Sequence, residues 1–234
     1  MLKNHSSLSN SRNRPAQDYQ KSSDPTPCRR FFVPDLSPQA RSFLKEVPIQ
    51  MIFVGESPHT SEIEAEQLQQ RRPLCGVAGR QWWSLLSELF EGSPNPDVTL
   101  VRQLKLSALN RFAVLNAVQY PMDPKIASVF RDADPVKNLG FGKLQGEYSY
   151  KKFKSNEGVK KALISLRKRL LHPTLRGAKI HCLGNDAQWL VCHTLTESEV
   201  QGRVGDKIPH PSAWWRQGGY FGRVAREKLD QILK

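Results

Sequence analysis

Short segments that contain apolar residues recur along the chain, and each is followed by glycine, proline or a polar residue. Two are nearly continuous apolar runs, 49–54 and 112–115, and two are mixed, 179–183 (Lys-Ile-His-Cys-Leu) and the brief pair 207–208 (Lys-Ile). Continuous apolar runs of this length are typical of strands that are buried on both faces. We therefore predict four strands.

Helical periodicity fills the stretches between these runs. In the segment 78–90 the apolar residues recur at helical spacing, and at least one of its tryptophans, Trp82 or Trp83, is expected in the core. Further helices are predicted at 158–171, 186–195 and 220–233. Strands that alternate with helices favour a parallel sheet covered on both faces. The pattern predicts an α/β fold, namely a three-layer αβα sandwich with a central, mostly parallel four-stranded sheet.

The periodic pattern begins only after the first 30 residues. That leading stretch is rich in Ser, Asn, Arg, Pro and Gln, which predicts a disordered, weakly basic arm. The remainder, 31–234, has the length of one domain. Within it, 123–157 is polar and lysine-rich, and we interpret it as an insertion of loops and short turns.

The charge balance indicates a polyanionic partner. Lysine and arginine total 35 against 22 acidic residues, a net charge of +13. Binding to phosphates releases condensed counterions, so a polyanionic partner is expected, the alternative being a basic tail on an otherwise ordinary enzyme. Charge alone leaves DNA, RNA and an anionic membrane surface open. No apolar run is long enough to span a bilayer and no signal peptide opens the chain, so we expect a cytoplasmic protein.

Cysteine usage indicates a reduced compartment. The four cysteines form no Cys-x-x-Cys pair; they are Cys28, Cys75, Cys182 and Cys192. Two of them adjoin a histidine, at 181–182 and 192–193, but both pairs lie in apolar stretches, which favours core packing over metal binding. We predict neither a metal site nor a cofactor.

Chemically competent residues follow the predicted strands. They are the segment 55–59 (Gly-Glu-Ser-Pro-His), Asn116, the segment 184–186 (Gly-Asn-Asp) and the segment 210–212 (His-Pro-Ser). Ligands of parallel sheets bind outside the carboxyl ends of the strands. We therefore expect these residues to converge on one site.

Five motifs in this order resemble the uracil-DNA glycosylase superfamily, and most closely its iron–sulfur branch. The five are 55–58 (Gly-Glu-Ser-Pro), 72–79 (Arg-Pro-Leu-Cys-Gly-Val-Ala-Gly), 115–118 (Leu-Asn-Ala-Val), 183–187 (Leu-Gly-Asn-Asp-Ala) and 210–216 (His-Pro-Ser-Ala-Trp-Trp-Arg). The resemblance implies a base-flipping DNA glycosylase. The cluster cysteines of that branch are missing, since 119–121 reads Gln-Tyr-Pro where one of them belongs. We infer that no cluster is present.

The resemblance assigns roles to individual residues. Glu56 would activate the attacking water, His210 would donate a hydrogen bond to the pyrimidine O2, and Asn116 would bind the Watson–Crick edge of the base. Ser57 would lie in the same base pocket. Each has a structural alternative: a loop-capping carboxylate for Glu56, a loop histidine for His210, and for Asn116 an amide bonded to its own backbone.

Two pocket positions depart from the family pattern. Leu74 stands where relatives have the phenylalanine that stacks on uracil, and His59 stands where they have glycine or a tyrosine that excludes C5-substituted bases. These departures favour, slightly, a C5-modified pyrimidine over uracil as the excised base.

The last motif would contact the DNA. Trp214 is the leading candidate to fill the gap left by the flipped base, with Trp215 next, while Ser212 and Arg216 would hold phosphates. No lysine is placed for Schiff-base chemistry, so we predict a monofunctional enzyme that leaves an abasic site. We also expect the protein to be a monomer. It would act in base-excision repair or against phage with modified DNA. The alternatives are a catalytically silent DNA-binding protein on the same fold and, with few acidic residues in support, a metal-dependent nuclease.

Overall fold

The computed structural model describes residues 49–58, 73–74, 76–95, 99–119 and 157–234. The predicted N-terminal arm, His59 and nearly all of the predicted insertion at 123–157 lie outside the described residues.

A parallel sheet forms the centre of the described structure. Its strands are β1 (Met51–Gly55), β2 (Phe112–Asn116) and β3 (Lys179–Cys182), in the order β2-β1-β3. Met51 of β1 pairs with Phe112 on one side and with Lys179 on the other, so the three strands begin and end at the same two edges. Three of the predicted strands are thus confirmed.

The fourth predicted strand is reduced to isolated bridges. Ile208 forms one parallel bridge with Leu183, and Val204 forms another with Ile180. The chain at 204–208 therefore runs beside β3, but Pro209 ends the pairing because it has no N–H to donate. The described residues establish an α/β architecture with a three-stranded parallel sheet, and the four-stranded, three-layer form stays a prediction.

Six helices are present in the described part of the chain. They are α1 (Val77–Glu91), α2 (Leu100–Leu109), α3 (Glu157–Leu170), α4 (Asn185–Thr194), α5 (Glu197–Val200) and α6 (Arg216–Leu233), and a 3-10 turn covers Pro211–Ala213. The four predicted helices are confirmed within a few residues. The sequence pattern missed α2 and the single turn of α5, although the N-cap Thr99 of α2 accepts a hydrogen bond from the N–H of Arg102. None of the described helices is long and apolar enough to cross a membrane.

Buried side chains form two clusters that alternate along the strands. One contains Ile52 and Val54 together with side chains of α3 and α4. The other contains Phe53, Phe112 and Val114 together with side chains of α1, α2 and α6. Because successive strand residues point to opposite faces, helices supply apolar contacts to both faces of the sheet. This double burial explains the continuous apolar runs.

Candidate active site

The carboxyl ends of β1 and β2 bring Glu56 and Asn116 together. Gly55 pairs directly with Asn116, and the pairing continues past the strands. The Ala117 N–H donates to the Gly55 carbonyl at 2.8 Å, and the Val118 N–H donates to the Glu56 carbonyl at 2.9 Å. Neighbouring strands lie roughly 4.8 Å apart, so the two polar residues are neighbours at this edge.

Both residues are buried, and Gly55 makes room for one of them. Glu56 is 8% exposed and Asn116 is 4% exposed. A Cβ atom at Gly55 would lie 2.9 Å from Oδ1 of Asn116, so the Asn116 amide extends across β1 over the bare α-carbon. Burying a carboxylate and an amide costs free energy unless each is satisfied. Their position at the carboxyl ends of parallel strands is typical of a functional site.

His210 reaches the same edge through the end of β3. The Leu183 N–H donates to the Val54 carbonyl, and the Gly184 N–H donates to the Ile208 carbonyl, each at 2.8 Å. Gly184 has a φ of 94°, and a Cβ there would lie 3.1 Å from Cβ of His210. Glycine is therefore required at 184, both for its backbone conformation and for the close approach of the histidine.

The hydrogen bonds of His210 define its tautomer. Its Nδ1 accepts the backbone N–H of Ser212 at 3.2 Å, and the Ser212 hydroxyl lies 2.8 Å from the same atom. Because a backbone N–H only donates, the proton of the neutral ring is on Nε2. Burial, helped by the nearby charge of Arg216, lowers the pKa of His210 to about 4. At neutral pH the ring is therefore an uncharged donor through Nε2.

Further polar atoms follow the same strand ends. Ser57 Oγ, Gln119 Nε2 and Asp186 Oδ1 are buried and make no hydrogen bond within the described part of the chain. Buried polar atoms are rarely left unsatisfied in proteins, so a polar ligand at this edge would find donors and acceptors here. The sequence analysis included Ser57 and, within the segment 184–186, Asp186, but it missed Gln119, although that residue also follows an apolar run.

Trp214 belongs to the core, and the expected order of the two tryptophans is corrected. Trp214 is 8% exposed, its ring lies 6.4 Å from that of Trp82, and its Nε1–H donates to the Pro209 carbonyl at 2.8 Å. Trp82 and Trp83 are also fully buried, which confirms the expectation for that pair. A ring that packs in the core and has its N–H satisfied is not available to enter DNA.

Trp215 is the exposed member of the pair, at 68%. The guanidinium carbon of Arg216 lies 5.7 Å from the centre of its ring, within the range of a cation–π contact. The next three residues, 217–219, all have positive φ angles, so the regular part of α6 begins only after them. This turn separates Trp215 and Arg216 from the regular part of the helix. The Ser212 hydroxyl contacts the His210 ring.

Leu74 is held tightly at the start of α1. Its φ of 59° is unusual for a residue with a side chain, and its carbonyl accepts the Nε1–H of Trp83 at 2.9 Å. A Cβ at Gly79 would lie 1.8 Å from that same carbonyl oxygen, so only glycine fits there. The Leu74 side chain packs in the α1 cluster of the core, and its contact with a base stays a prediction.

The histidine–cysteine pairs differ in burial. His181 and Cys182 are core residues as predicted, and burial raises the pKa of the Cys182 thiol to about 12. Cys192 and His193 lie on the surface, so core packing was wrong for that pair. Among the described residues no group of three or more potential metal ligands occurs.

Comparisons of the chain with protein-family models, with curated proteins and with solved structures give no match.

Proposed function

We propose that this chain is a DNA glycosylase that flips a pyrimidine out of DNA and hydrolyses its N-glycosidic bond, leaving an abasic site. The observation that carries the proposal is the placement of Glu56, Asn116 and an uncharged His210 at one edge of a parallel sheet. The five sequence motifs that resemble the uracil-DNA glycosylase superfamily support it. The finer fold, a four-stranded sheet in a three-layer sandwich, is part of the same proposal.

The chemistry requires an acidic group near the sugar and a donor near the base. As the bond breaks, the sugar gains oxocarbenium character and the base leaves with negative charge on O2. In the proposal Glu56 orients the water and stabilises the cationic sugar. The Nε2–H of His210 donates to O2, and preorganised donors of this kind contribute roughly 3–4 kcal/mol. Because the neutral ring already carries its proton on Nε2, it donates this hydrogen bond without first binding a proton from the solvent.

Asn116 is proposed to recognise the flipped base. An amide has one donor group and one acceptor group, so a single orientation matches N3–H and O4 of uracil, while the reversed orientation matches N3 and N4–H₂ of cytosine. The oxygen of that amide lies over the α-carbon of Gly55, the residue immediately before Glu56. Recognition and chemistry would therefore share one narrow edge.

Trp215 is proposed to occupy the gap that the flipped base leaves. It is the exposed tryptophan, and Arg216 beside it carries charge for a neighbouring phosphate. Apolar side chains that insert between base pairs are a recurrent device for unstacking them. The net charge of +13 favours such binding over the whole surface.

The proposed substrate is uracil or, slightly favoured, a C5-modified pyrimidine. Leucine at 74 has no flat face to stack on uracil, and histidine at 59 is polar enough to hydrogen-bond a C5 substituent. Either substrate fits a role in base-excision repair, and a modified base fits a role against phage. We expect release of at least one C5-substituted base to equal or exceed release of uracil.

The test is single-turnover base release from matched duplexes, followed by alkali cleavage. The duplexes contain uracil, hydroxymethyluracil, hydroxymethylcytosine or its glucosylated form. Glu56→Gln and His210→Ala are expected to abolish release while DNA affinity changes little, because both residues act in the transition state. The matched controls Glu197→Gln and His172→Ala, at exposed positions, should keep full activity.

Two outcomes would contradict the proposal. Full activity in both Glu56→Gln and His210→Ala would remove the catalytic assignment. A wild-type chain that binds all four duplexes but releases no base would be the silent DNA-binding protein instead. Release from the uracil duplex alone would keep the glycosylase and overturn the preference for a modified base.

A further inference from the structure

Arg169 is a buried arginine whose guanidinium reaches the end of the base-recognition strand. It lies in the last turn of α3 and is 5% exposed. Its Nη1 donates to the Asn116 carbonyl at 2.5 Å, and its Nη2 donates to the Ala117 carbonyl at 2.6 Å. One planar group therefore binds two consecutive carbonyls, 53 and 52 residues away in the chain.

These two carbonyls complete the hydrogen bonding of two successive peptide units. In the first unit the Ala117 N–H donates to the Gly55 carbonyl, and Arg169 binds the Asn116 carbonyl. In the second unit the Val118 N–H donates to the Glu56 carbonyl, and Arg169 binds the Ala117 carbonyl. Each peptide plane is thus held on one side by β1 and on the other by the guanidinium.

The same helix also binds the residue that follows. The Ser165 hydroxyl donates to Oε1 of Gln119 at 3.3 Å, and Nε of Arg169 donates to the Ser165 carbonyl at 3.3 Å. Two side chains of α3, one turn apart, therefore hold the chain from Asn116 to Gln119. The sequence pattern places Arg169 only within the helix predicted at 158–171.

A buried guanidinium is costly, and a lysine would not satisfy both carbonyls with the same geometry. Removing an arginine from water is unfavourable unless its donors are bonded, and its rigid fork suits two adjacent acceptors. Here the guanidinium binds the carbonyls of the two peptide units whose N–H groups donate to the Gly55 and Glu56 carbonyls. This is a stronger constraint on the strand end than its two bonds to β1 alone.

We propose that Arg169 is a positioning residue that holds Asn116 in register with Glu56. The inference rests on the proposed function for its catalytic consequence, because Asn116 binds the base and Glu56 activates the water. The effect of Arg169 on the site passes through the backbone carbonyls of Asn116 and Ala117. Without it, the Asn116 amide would shift relative to Glu56, and both the rate of base release and the discrimination between bases would fall.

The experiment compares Arg169→Lys and Arg169→Met with the matched controls Arg167→Lys and Arg167→Met. Arg167 lies two residues earlier on α3 but binds Glu199 and the Thr194 carbonyl, away from β2. Amide hydrogen exchange is measured at Ala117 and Val118, with the Leu183 N–H as an internal reference. Base release and DNA affinity are measured on the same samples.

We expect Arg169→Met to speed exchange at Ala117 and Val118 about tenfold or more, with Leu183 unchanged. Base release should slow by about 10- to 100-fold, as misplacement of a recognition group by an ångström does. DNA affinity should hold, and the ratio of release between uracil and a C5-modified base should move toward one. Arg169→Lys should recover the melting temperature but only part of the release rate, and the Arg167 variants should match the wild type.

Three results would overturn the inference. One is unchanged exchange at Ala117 and Val118 in both Arg169 variants. Another is faster exchange with an unchanged base preference, and a third is full recovery of release by lysine. A wild-type chain without base release would refute the proposed function separately, and the exchange measurement would then decide by itself whether Arg169 positions Asn116. If Arg169→Met fails to fold, the lysine variant supplies both measurements.

Discussion

Gly55 shows how one missing side chain shapes the site. Its α-carbon lies under the Asn116 amide, and a Cβ there would approach Oδ1 to 2.9 Å. The backbone of Gly55 is ordinary extended strand, so alanine meets a steric obstacle and no conformational strain. The residue is glycine because of its neighbour across the sheet.

We predict that Gly55→Ala slows base release by about 10- to 100-fold with little loss of stability, because the Asn116 amide must move aside. Gly177→Ala is the control, since a Cβ at that position meets no atom within 4 Å. Single-turnover release and urea unfolding on both variants test this. Equal release from Gly55→Ala and the wild type would contradict it.

The second prediction at this scale concerns the protonation of His210. Burial lowers its pKa from 6.5 to about 4, so the folded protein keeps the ring uncharged well below neutral pH. The rate of base release should therefore show no loss centred near pH 6.5. The NMR titration of His210 measures this directly. A His210 titration near 6.5 would contradict the assignment.

The same shift makes stability depend on pH in a definite direction. Between about pH 6.5 and 4 the unfolded chain binds a proton at His210 that the folded chain does not. The contribution of the neutral ring is therefore fully present above 6.5 and is lost as the pH falls toward 4. His210→Ala should flatten the decline of the free energy of unfolding over this interval.

At the scale of elements, the segment from the 3-10 turn to α6 divides two adjacent tryptophans between different tasks. Trp214 anchors the segment in the core, where its backbone also lies against Gly222 of α6. Trp215 projects outward before the turn at 217–219. The buried Trp214 ring holds the loop that carries His210 in place, and the Trp215 ring is left exposed.

We predict opposite effects from the two substitutions. Trp214→Ala should cost about 3–5 kcal/mol of unfolding free energy, as large-to-small changes of core aromatics do. Trp215→Ala should change stability by no more than about 0.5 kcal/mol but slow base release from duplex DNA. Urea unfolding and release assays separate the two. A stability loss in Trp215→Ala equal to that in Trp214→Ala would contradict this division.

At the scale of the whole molecule, the net charge bears on the proposed binding to DNA. The excess of 13 positive charges acts over the entire surface, but only residues at the DNA contribute to the salt dependence of binding. Arg216 is proposed to be one of them. Arg176 is not, because it precedes Lys179, which pairs with Met51 at the opposite edge of the sheet.

We predict that Arg216→Ala reduces the slope of log affinity against log salt by about 0.9, the value for one phosphate contact on duplex DNA. Arg176→Ala should leave the slope unchanged. Titrations of labelled duplex between 50 and 200 mM salt, roughly the range over which such slopes are resolved, provide the measurement. Equal slopes for wild type and Arg216→Ala would place that arginine away from DNA.

Most of the sheet and the membership of its polar edge follow from the sequence. Continuous apolar runs predict buried strands, and parallel strands of similar length must end together, so Glu56 and Asn116 were expected to meet. The same reasoning overextended at 207–208, where Ile208, between Lys207 and Pro209, forms an isolated bridge with Leu183 and not a strand. The local pattern of apolar residues identifies a buried segment, but it does not show how many residues of that segment pair with a neighbouring strand.

The sequence by itself determined which residues are apolar, how they repeat and in what order the polar strand ends occur. These properties are local, and burial on two faces translates them directly into strands and helices. Only the tertiary structure decided which tryptophan of the pair at 214–215 is buried, where the guanidinium of Arg169 lies and that the His210 ring is uncharged well below neutral pH. Each of these depends on partners brought together by folding: Trp82 for the first, the Asn116 carbonyl for the second and the burial of the His210 ring for the third. Contacts of that kind leave no periodic pattern in the sequence, because an identical side chain at the same spacing is found exposed to water in other folds.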